Sequence, residues 1–577
     1  MSERIVIGID LGTTFTGVAW AISTPGETIH LIEWPDAKTP TKLGHDSGDC
    51  VIRCFKYLLL DEKDIPANIL NSTFFRDVCE MQKTFNQDPL DIIGSFLRGI
   101  WTRTMDSINN NRGEHGLQTS DLHVVMTIPA SWPSYTKYRL KKAAQAAEII
   151  GENSSTTIDF VAESEAAILG TRDQCPLINW AAQDLTTYAV RNVQPLVLNQ
   201  LTMSQSGLCG GVTLDERFLG LIEAKTAAER RSWGGDDEKL EIFLNEYWER
   251  GIKHAFRDDQ NRTWVVDLPD WLQAAVESRN LVSGINRGRT VELKSEDIAS
   301  IFSPVINEIE DLVCRHQGEL RREHGKELDS GLLVGGLGQV PYLTGRLCSV
   351  FRSSYIIPSE NNAPWTAICR GAVVHGLSNA NVNNDMLPQG ILSRTYGFND
   401  EVDWKEGHRG HSADRKIWDI IEAKWIVRDQ VCWCLRKGAL NTMEPTIVDC
   451  EQALSQPEDR PYTYFYVSPR KNPRLQRDQF SDPLCGIQWT RTFPRESLVE
   501  ERNGRGQTFY MAKYRLVFEA VGNSLEITVE TRKGERLGSY NVAEAFEEDR
   551  SDGSYVPREE ATPAPTTTRL LRSRGRV

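Results

Sequence analysis

Apolar and β-branched residues crowd three short bursts at the start of the chain, Arg4 to Asp10, Phe15 to Ile22 and Thr28 to Trp34. This pattern predicts a three-stranded meander closed by Pro35. From Val51 to Leu60 the pattern turns helical. Between Asp88 and Asn109 the residues Leu90, Ile93, Leu97, Ile100 and Trp101 recur at helical spacing. The short, largely apolar run Leu122 to Ile128, ended by Pro129, suits a buried parallel strand. A helix follows Pro133, with Ser134 at its N-cap, Leu140, Ala143, Ala144 and Ala147 on one face, and Gly151 as its end. Phe160 to Glu163 reads as another strand, opening a helix at Ser164. Strands followed by alternating helices and strands define an α/β lobe.

From Asp184 the pattern begins again. Leu185 to Val190 and Pro195 to Leu201 read as the second and third strands of another meander. Helices follow over Asp237 to Phe256 and from a Ser295 cap, with Pro304 expected to kink the second. The strand Gly331 to Val334 then runs into Gly335-Gly336-Leu337-Gly338, and a helix opens at Pro341. A glycine turn at the carboxyl end of a buried strand is where open α/β sheets bind ligands. Beyond Asn379 the alternation of helix and strand stops. Residues 385–545 read as mostly β, with a helical patch at Lys416 to Val431 and a Gly522-Asn523 hairpin turn between Phe509–Val521 and Ser524–Thr531. The tail, 546–577, is acidic, then Pro/Thr-rich, then basic at Arg569, Arg572, Arg574 and Arg576, and is expected to be disordered.

At 577 residues the chain is too long for one core. Its net charge of −14 argues against nucleic-acid binding. No apolar stretch approaches the length of a membrane span, and the first strand starts too early for a signal peptide. With twelve scattered cysteines, this gives an expectation of a reduced, cytoplasmic or nuclear protein. His408 and His411 lack the further ligands a zinc site needs.

The candidate chemistry lies in the first turn. Asp10 is delivered by a strand to Gly12-Thr13-Thr14, too short for a Walker-type loop. It suits a different phosphate cradle. Gly12 admits a close backbone approach, the amides and hydroxyls of Thr13 and Thr14 can point at phosphate oxygens, and Asp10 can hold a hydrated Mg²⁺.

Five motifs stand in order: Ile9-Asp10-Leu11-Gly12-Thr13-Thr14; Ile128-Pro129-Ala130; Glu163-Ser164-Glu165-Ala166-Ala167; Val334-Gly335-Gly336-Leu337-Gly338 with Pro341-Tyr342-Leu343; and Trp365-Thr366-Ala367 with Arg370-Gly371-Ala372. Together they resemble the nucleotide-binding domain of the seventy-kilodalton heat-shock chaperones and the wider actin and sugar-kinase superfamily. Gly207 to Gly211 and the Phe55-Lys56-Tyr57-Leu58-Leu59-Leu60-Asp61 segment are similar to the divergent member-twelve-type branch common in filamentous fungi. The resemblance implies an actin-like fold of two duplicated ribonuclease-H-like lobes and a C-terminal mostly β domain. The first lobe would span 1–175, with 364–378 returning to it, and the second 176–363. Residues 379–384 would be a linker, 385–545 the β-rich domain and 546–577 the tail. It implies ATP or ADP with Mg²⁺ as cofactor: Asp10 beside the metal, Gly12, Thr13 and Thr14 on the β- and γ-phosphates, Glu163 near the metal and attacking water, Gly210 and Gly211 touching phosphate from the second lobe, and Gly335, Gly336 and Gly338 bordering the adenosine. Unfolded peptides or client proteins, and co-chaperones, are the implied partners.

The sequence departs from the family before Asp184. There a second phosphate loop of the form D-x-G-G-G-T-V is replaced by Ile178-Asn179-Trp180-Ala181-Ala182-Gln183, and no glycine lies between Gly170 and Gly207. The first strand and phosphate loop of the second lobe are expected to be missing, with Leu177 to Trp180 as the segment that could fill part of the gap. Ser164 stands where the family has proline, and Ser204-Gln205-Ser206 where it has a catalytic aspartate. Three lost charge-assisted contacts at roughly 1.5–3 kcal/mol each remove more than about 4 kcal/mol of binding, a thousandfold or so in affinity. The expectation is therefore an ATP-binding protein with weak or absent hydrolysis and a chaperone-like role in protein quality control. The alternatives are a pseudo-ATPase scaffold and a small-molecule kinase of the same superfamily, the latter without a separate polar substrate motif.

Overall fold

The computed structural model describes residues Arg4 to Leu570, leaving out 33–38, 45–50, 113–120, 172–178, 207–210, 229–232, 258–261, 278–284, 351–354, 358–362, 381–393, 440–444 and 542–566, together with shorter breaks that include Thr14 and 182–183. The chain is mixed α/β with several sheets. It divides into two compact units, Met1–Pro388 and Gln389–Val577. Of the expected linker, 379–384, the first two residues instead end helix Ala363–Ala380, and 381–384 lie outside the described residues.

The first sheet of the first unit runs in the order His30–Leu31, Phe15–Ile22, Arg4–Leu11, Asp121–Ile128, Thr157–Ala162. Arg4–Leu11 pairs antiparallel with Phe15–Ile22, Leu11 facing Thr16, and parallel with Asp121–Ile128. Its apolar run is unbroken because both faces are covered. Ile5, Ile7 and Ile9 join the core that includes Ile93, Leu97 and Ile100 of helix Pro89–Arg112. Val6 faces the other way, into a core shared with helix Ala363–Ala380. Gly8 lies beneath that helix, where a Cβ would come within 2.3 Å of the Cys369 carbonyl oxygen. The third strand is shorter than the sequence pattern predicts.

A second sheet repeats this order with shorter strands: Gln205–Ser206, Asp184–Leu185, Asn179–Ala181, Ser330–Val334, Tyr355–Ile357. The first strand expected to be missing is therefore present, reduced to three residues. Asn179–Ala181 pairs parallel with Ser330–Val334, and Trp180 faces Leu185. A buried strand left without a neighbour would strand its backbone polar groups, so a remnant of the right length is recruited. The expected third strand is also corrected. Leu196–Gln200 pairs with Tyr188–Val193 as a separate ribbon, and Gln205–Ser206 takes the third position.

Two helices cross between the sheets. Glu163–Thr171 leaves the first sheet's last strand, and Ala363–Ala380 follows the second sheet's last strand. A Cβ on Gly170 would sit 1.9 Å from the Ala367 carbonyl oxygen, and one on Gly371 1.6 Å from that of Ala166. The backbones touch, which only glycine allows.

Local expectations fared unevenly. Val51 to Leu60 is a short strand, Val51–Arg53, then a 3-10 turn, Phe55–Leu59. Helix Ser295–His324 contains Pro304, and its start is held by the Asp297 carboxylate, which accepts the Lys294 N–H at 2.9 Å. Helix Tyr135–Ala146 stops before Gly151, and Ser134 lies outside the described residues.

The second unit holds two five-position sheets. One runs Lys416–Asp419, Lys424–Leu435, Thr395–Asp403, Tyr462–Ser468, Asp482–Gln488; the other Arg536–Asn541, Ser524–Thr531, Thr508–Val521, Thr446–Leu454, Thr567–Leu570, with Leu498–Arg502 also on Thr508–Val521. Phe398 and Phe465 of the first share a core with Tyr514, Phe518 and Ile527 of the second. The expected helical patch at Lys416 to Val431 is instead a hairpin, with Trp418 opposite Trp425. Ile417 pairs with Ile426 and Trp418 with Trp425 across the strands, and these cross-strand apolar pairs override the short helical reading. The tail also differs: Thr567–Leu570 is an edge strand on Thr446–Leu454.

Candidate functional site

The turn after the first strand is built around Gly12, where a Cβ would meet the Phe15 carbonyl oxygen at 2.1 Å. Asp10 sits two residues earlier, opposite Gly17. Its Oδ1 accepts a hydrogen bond from the Thr127 hydroxyl at 2.8 Å, and Thr127 is the penultimate residue of the neighbouring parallel strand. Glu163 opens the crossing helix where the next strand stops. Thus one strand end and one helix start, both at the carboxyl edge of the sheet, carry the expected acidic residues Asp10 and Glu163, with Thr127 on the strand between them.

A further residue completes the group. Lys56, from the 3-10 turn Phe55–Leu59, places its ammonium 2.6 Å from Glu163 Oε1 and 5.2 Å from the centre of the Trp132 ring. Only 2% of its side chain is exposed. Burial of so long a cation needs a partner, and Glu163 supplies it.

Asp10 is held up at about 7. Burial is the main cause and the Glu163 charge adds to it, while Lys56 and the Thr127 hydrogen bond pull the other way. A carboxylate in this setting is short of positive charge. Cys369, beneath the turn, has its thiol pushed well up by burial and then by Asp10, which makes it a poor nucleophile.

The remaining expected site residues are placed as follows. Thr13 is in the turn, and Thr14 and Gly210 lie outside the described residues. Gly211 begins helix Gly211–Thr226. Gly335 has φ +82° and open space where a Cβ would go. Gly336 follows it into the 3-10 turn Leu337–Gln339. Gly338 packs closely on the preceding strand, where a Cβ would come 3.0 Å from the Leu333 carbonyl carbon. Val334 shares a core with Ala166, Ala367 and Cys369, so this glycine turn leaves the second sheet beside the crossing helices. Ser164 uses its hydroxyl, 3.3 Å from that of Tyr188, to tie the crossing helix to the second sheet's side of the unit.

Lys56 was not assigned from the sequence. Its signal was a single charge inside the apolar run Phe55, Leu58, Leu59, Leu60, all of which are buried. No protein-family profile matches the chain, and no curated protein matches it. Among the described residues no group of three or more His, Cys, Asp or Glu side chains forms a closed metal site.

Proposed function

We propose that the first unit is an ATP-binding domain of heat-shock-seventy-like, actin-type architecture, with weak or absent hydrolysis. The observation that carries this reading is the meeting of Asp10, Thr127, Lys56 and Glu163 at the Gly12 turn, at one end of a sheet whose strand order a second sheet repeats. The donor set fits a magnesium nucleotide. Asp10 is a half-buried carboxylate whose hydrogen-bond donor among the described residues is one neutral hydroxyl, and Mg²⁺ prefers one or two carboxylates plus water and phosphate oxygens. When bound, the metal supplies the charge that neutralises phosphate during attack by water.

Asp10 would orient the metal's water shell, and the Thr13 amide and hydroxyl would face phosphate oxygens. Lys56 would lend its ammonium to the same phosphates while holding the Glu163 side chain in place. Glu163 would position the attacking water. The second hairpin, from Ala181 to Asp184, offers no glycine and no acidic residue before Asp184 to complete the grip, which is why turnover is expected to be slow. The second unit is proposed to contact client proteins or unfolded peptides, with co-chaperones acting on the nucleotide-binding unit.

A pseudo-ATPase scaffold is the second reading, favoured by the two- and three-residue strands around that hairpin. Calorimetric titration of the full chain with Mg-ATP separates the two. The nucleotide reading expects saturable binding that Lys56→Met weakens by roughly 10- to 150-fold, the equivalent of about 1.5–3 kcal/mol for a lost charged contact. No heat up to millimolar nucleotide from the folded protein would leave the scaffold.

A further inference from the structure

The hairpin that replaces the expected helix in the second unit carries two tryptophans, and a third, just past strand Thr395–Asp403, joins them at one surface. Trp418 and Trp425 face each other across the strands, ring centroids 5.1 Å apart and planes at 75°. Trp404 lies beside them, its backbone N–H donating to the Trp425 backbone carbonyl at 2.9 Å. Trp425 is 47% exposed and Ile420, at the hairpin tip, 59%. Among the described residues, Trp425 is the one aromatic side chain in the set of exposed large hydrophobic groups. An indole left in water at a cluster of three costs solvation without serving a core.

Two cations lie over these rings. The Lys416 ammonium is 5.0 Å from the Trp404 centroid and 4.8 Å from that of Trp425, and the Arg505 guanidinium is 5.1 Å from Trp418. Neither has an ion pair with a described carboxylate. The acids nearby are already engaged: Lys424 holds Asp403 at 3.0 Å and Glu422 at 2.7 Å. The surface therefore combines an open aromatic step with two positive charges that have no ion-pair partner among the described residues.

We propose that this surface docks an acidic, proline-containing peptide segment of a partner protein. Proline rings present flat apolar faces, and a polyproline II segment is already extended, so little ordering entropy is lost when it meets an aromatic ridge. Carboxylates a few residues apart along such a segment match Lys416 and Arg505. A nucleic-acid strand fits less well. It brings a charge at every nucleotide to a surface with two free cations beside carboxylates. The inference does not depend on nucleotide binding by the first unit.

The test is fluorescence anisotropy of the full chain with fluorescein-labelled peptides of Glu-Pro-Pro repeats, compared with Lys-Pro-Pro and Glu-Ser-Ser repeats. The expected result is binding of the first alone. Trp425→Ala should weaken it at least about tenfold. Lys416→Gln should weaken it by roughly three- to tenfold and flatten its salt dependence. Ile242→Ala, an exposed apolar change in the first unit, should leave it unaltered. Trp425 and Lys416 are at the surface, and circular dichroism checks that both variants are folded. No binding at millimolar peptide, equal binding of Lys-Pro-Pro repeats, indifference to Trp425→Ala and Lys416→Gln, or binding only of single-stranded oligouridylate would each overturn the proposal.

Discussion

Replacing Asp10 by asparagine should stabilise the protein while removing the centre of its candidate site. The carboxyl is held at about 7 against an ordinary 3.8, first by burial and then by Glu163. Because the folded-state value is raised, the folded chain binds the proton more tightly, and stability falls as pH rises from about 4 through 7. Above that window the ionised carboxylate costs as much as roughly 4 kcal/mol, the equivalent of the gap between the two values. Asparagine keeps an Oδ1 to accept the 2.8 Å bond from Thr127 and carries no charge. The expected gain for Asp10→Asn is about 2–4 kcal/mol at pH 8 and less than about 2 kcal/mol at pH 5. Urea denaturation at both pH values measures it, with hydrogen exchange in strand Arg4–Leu11 identifying the transition of the first unit. A variant no more stable than the parent at pH 8, or one whose gain is the same at both pH values, would refute the electrostatic reasoning. In the same variant the calorimetric response to Mg-ATP should disappear.

Two further outcomes concern the crossing helices. His375 on Ala363–Ala380 reaches Glu165 at 3.2 Å and Asp159 at 3.5 Å, and those acids outweigh its burial and hold it at about 9. A raised histidine contributes fully below 6.5 and loses that contribution as pH climbs through 9, so His375→Gln should cost roughly 3 kcal/mol at pH 6 and much less at pH 10 by urea denaturation. Gly371→Ala forces a Cβ to within 1.6 Å of the Ala166 carbonyl oxygen and should cost roughly 3 kcal/mol, whereas Gly345→Ala in helix Pro341–Val350, with nothing within 4 Å, should stabilise by about 0.5–1 kcal/mol; thermal midpoints of the two variants compare them.

Some of this protein is written in local pattern. The run Arg4 to Leu11 and the Gly12 turn were legible because strand periodicity and a glycine without room for a side chain are properties of adjacent residues. The same holds for Asp121–Ile128 and for Gly335 at the end of its strand. Other features depend on partners distant in sequence. Lys56 could be recognised only once Glu163, 107 residues away, was found against it. Asn179–Ala181 carries too little pattern to read as a strand; Ser330–Val334 makes it one by pairing with it. Leu196–Gln200 has the pattern of a sheet strand, yet the sheet's third position is filled by Gln205–Ser206. Trp418 and Trp425 become one surface only when the hairpin folds them opposite each other. The sequence determines which segments can bury an apolar face and where the backbone must turn. Tertiary structure decides which strand ladder is completed by which segment and which charges are neutralised together, because those energies exist only between residues that folding brings into contact.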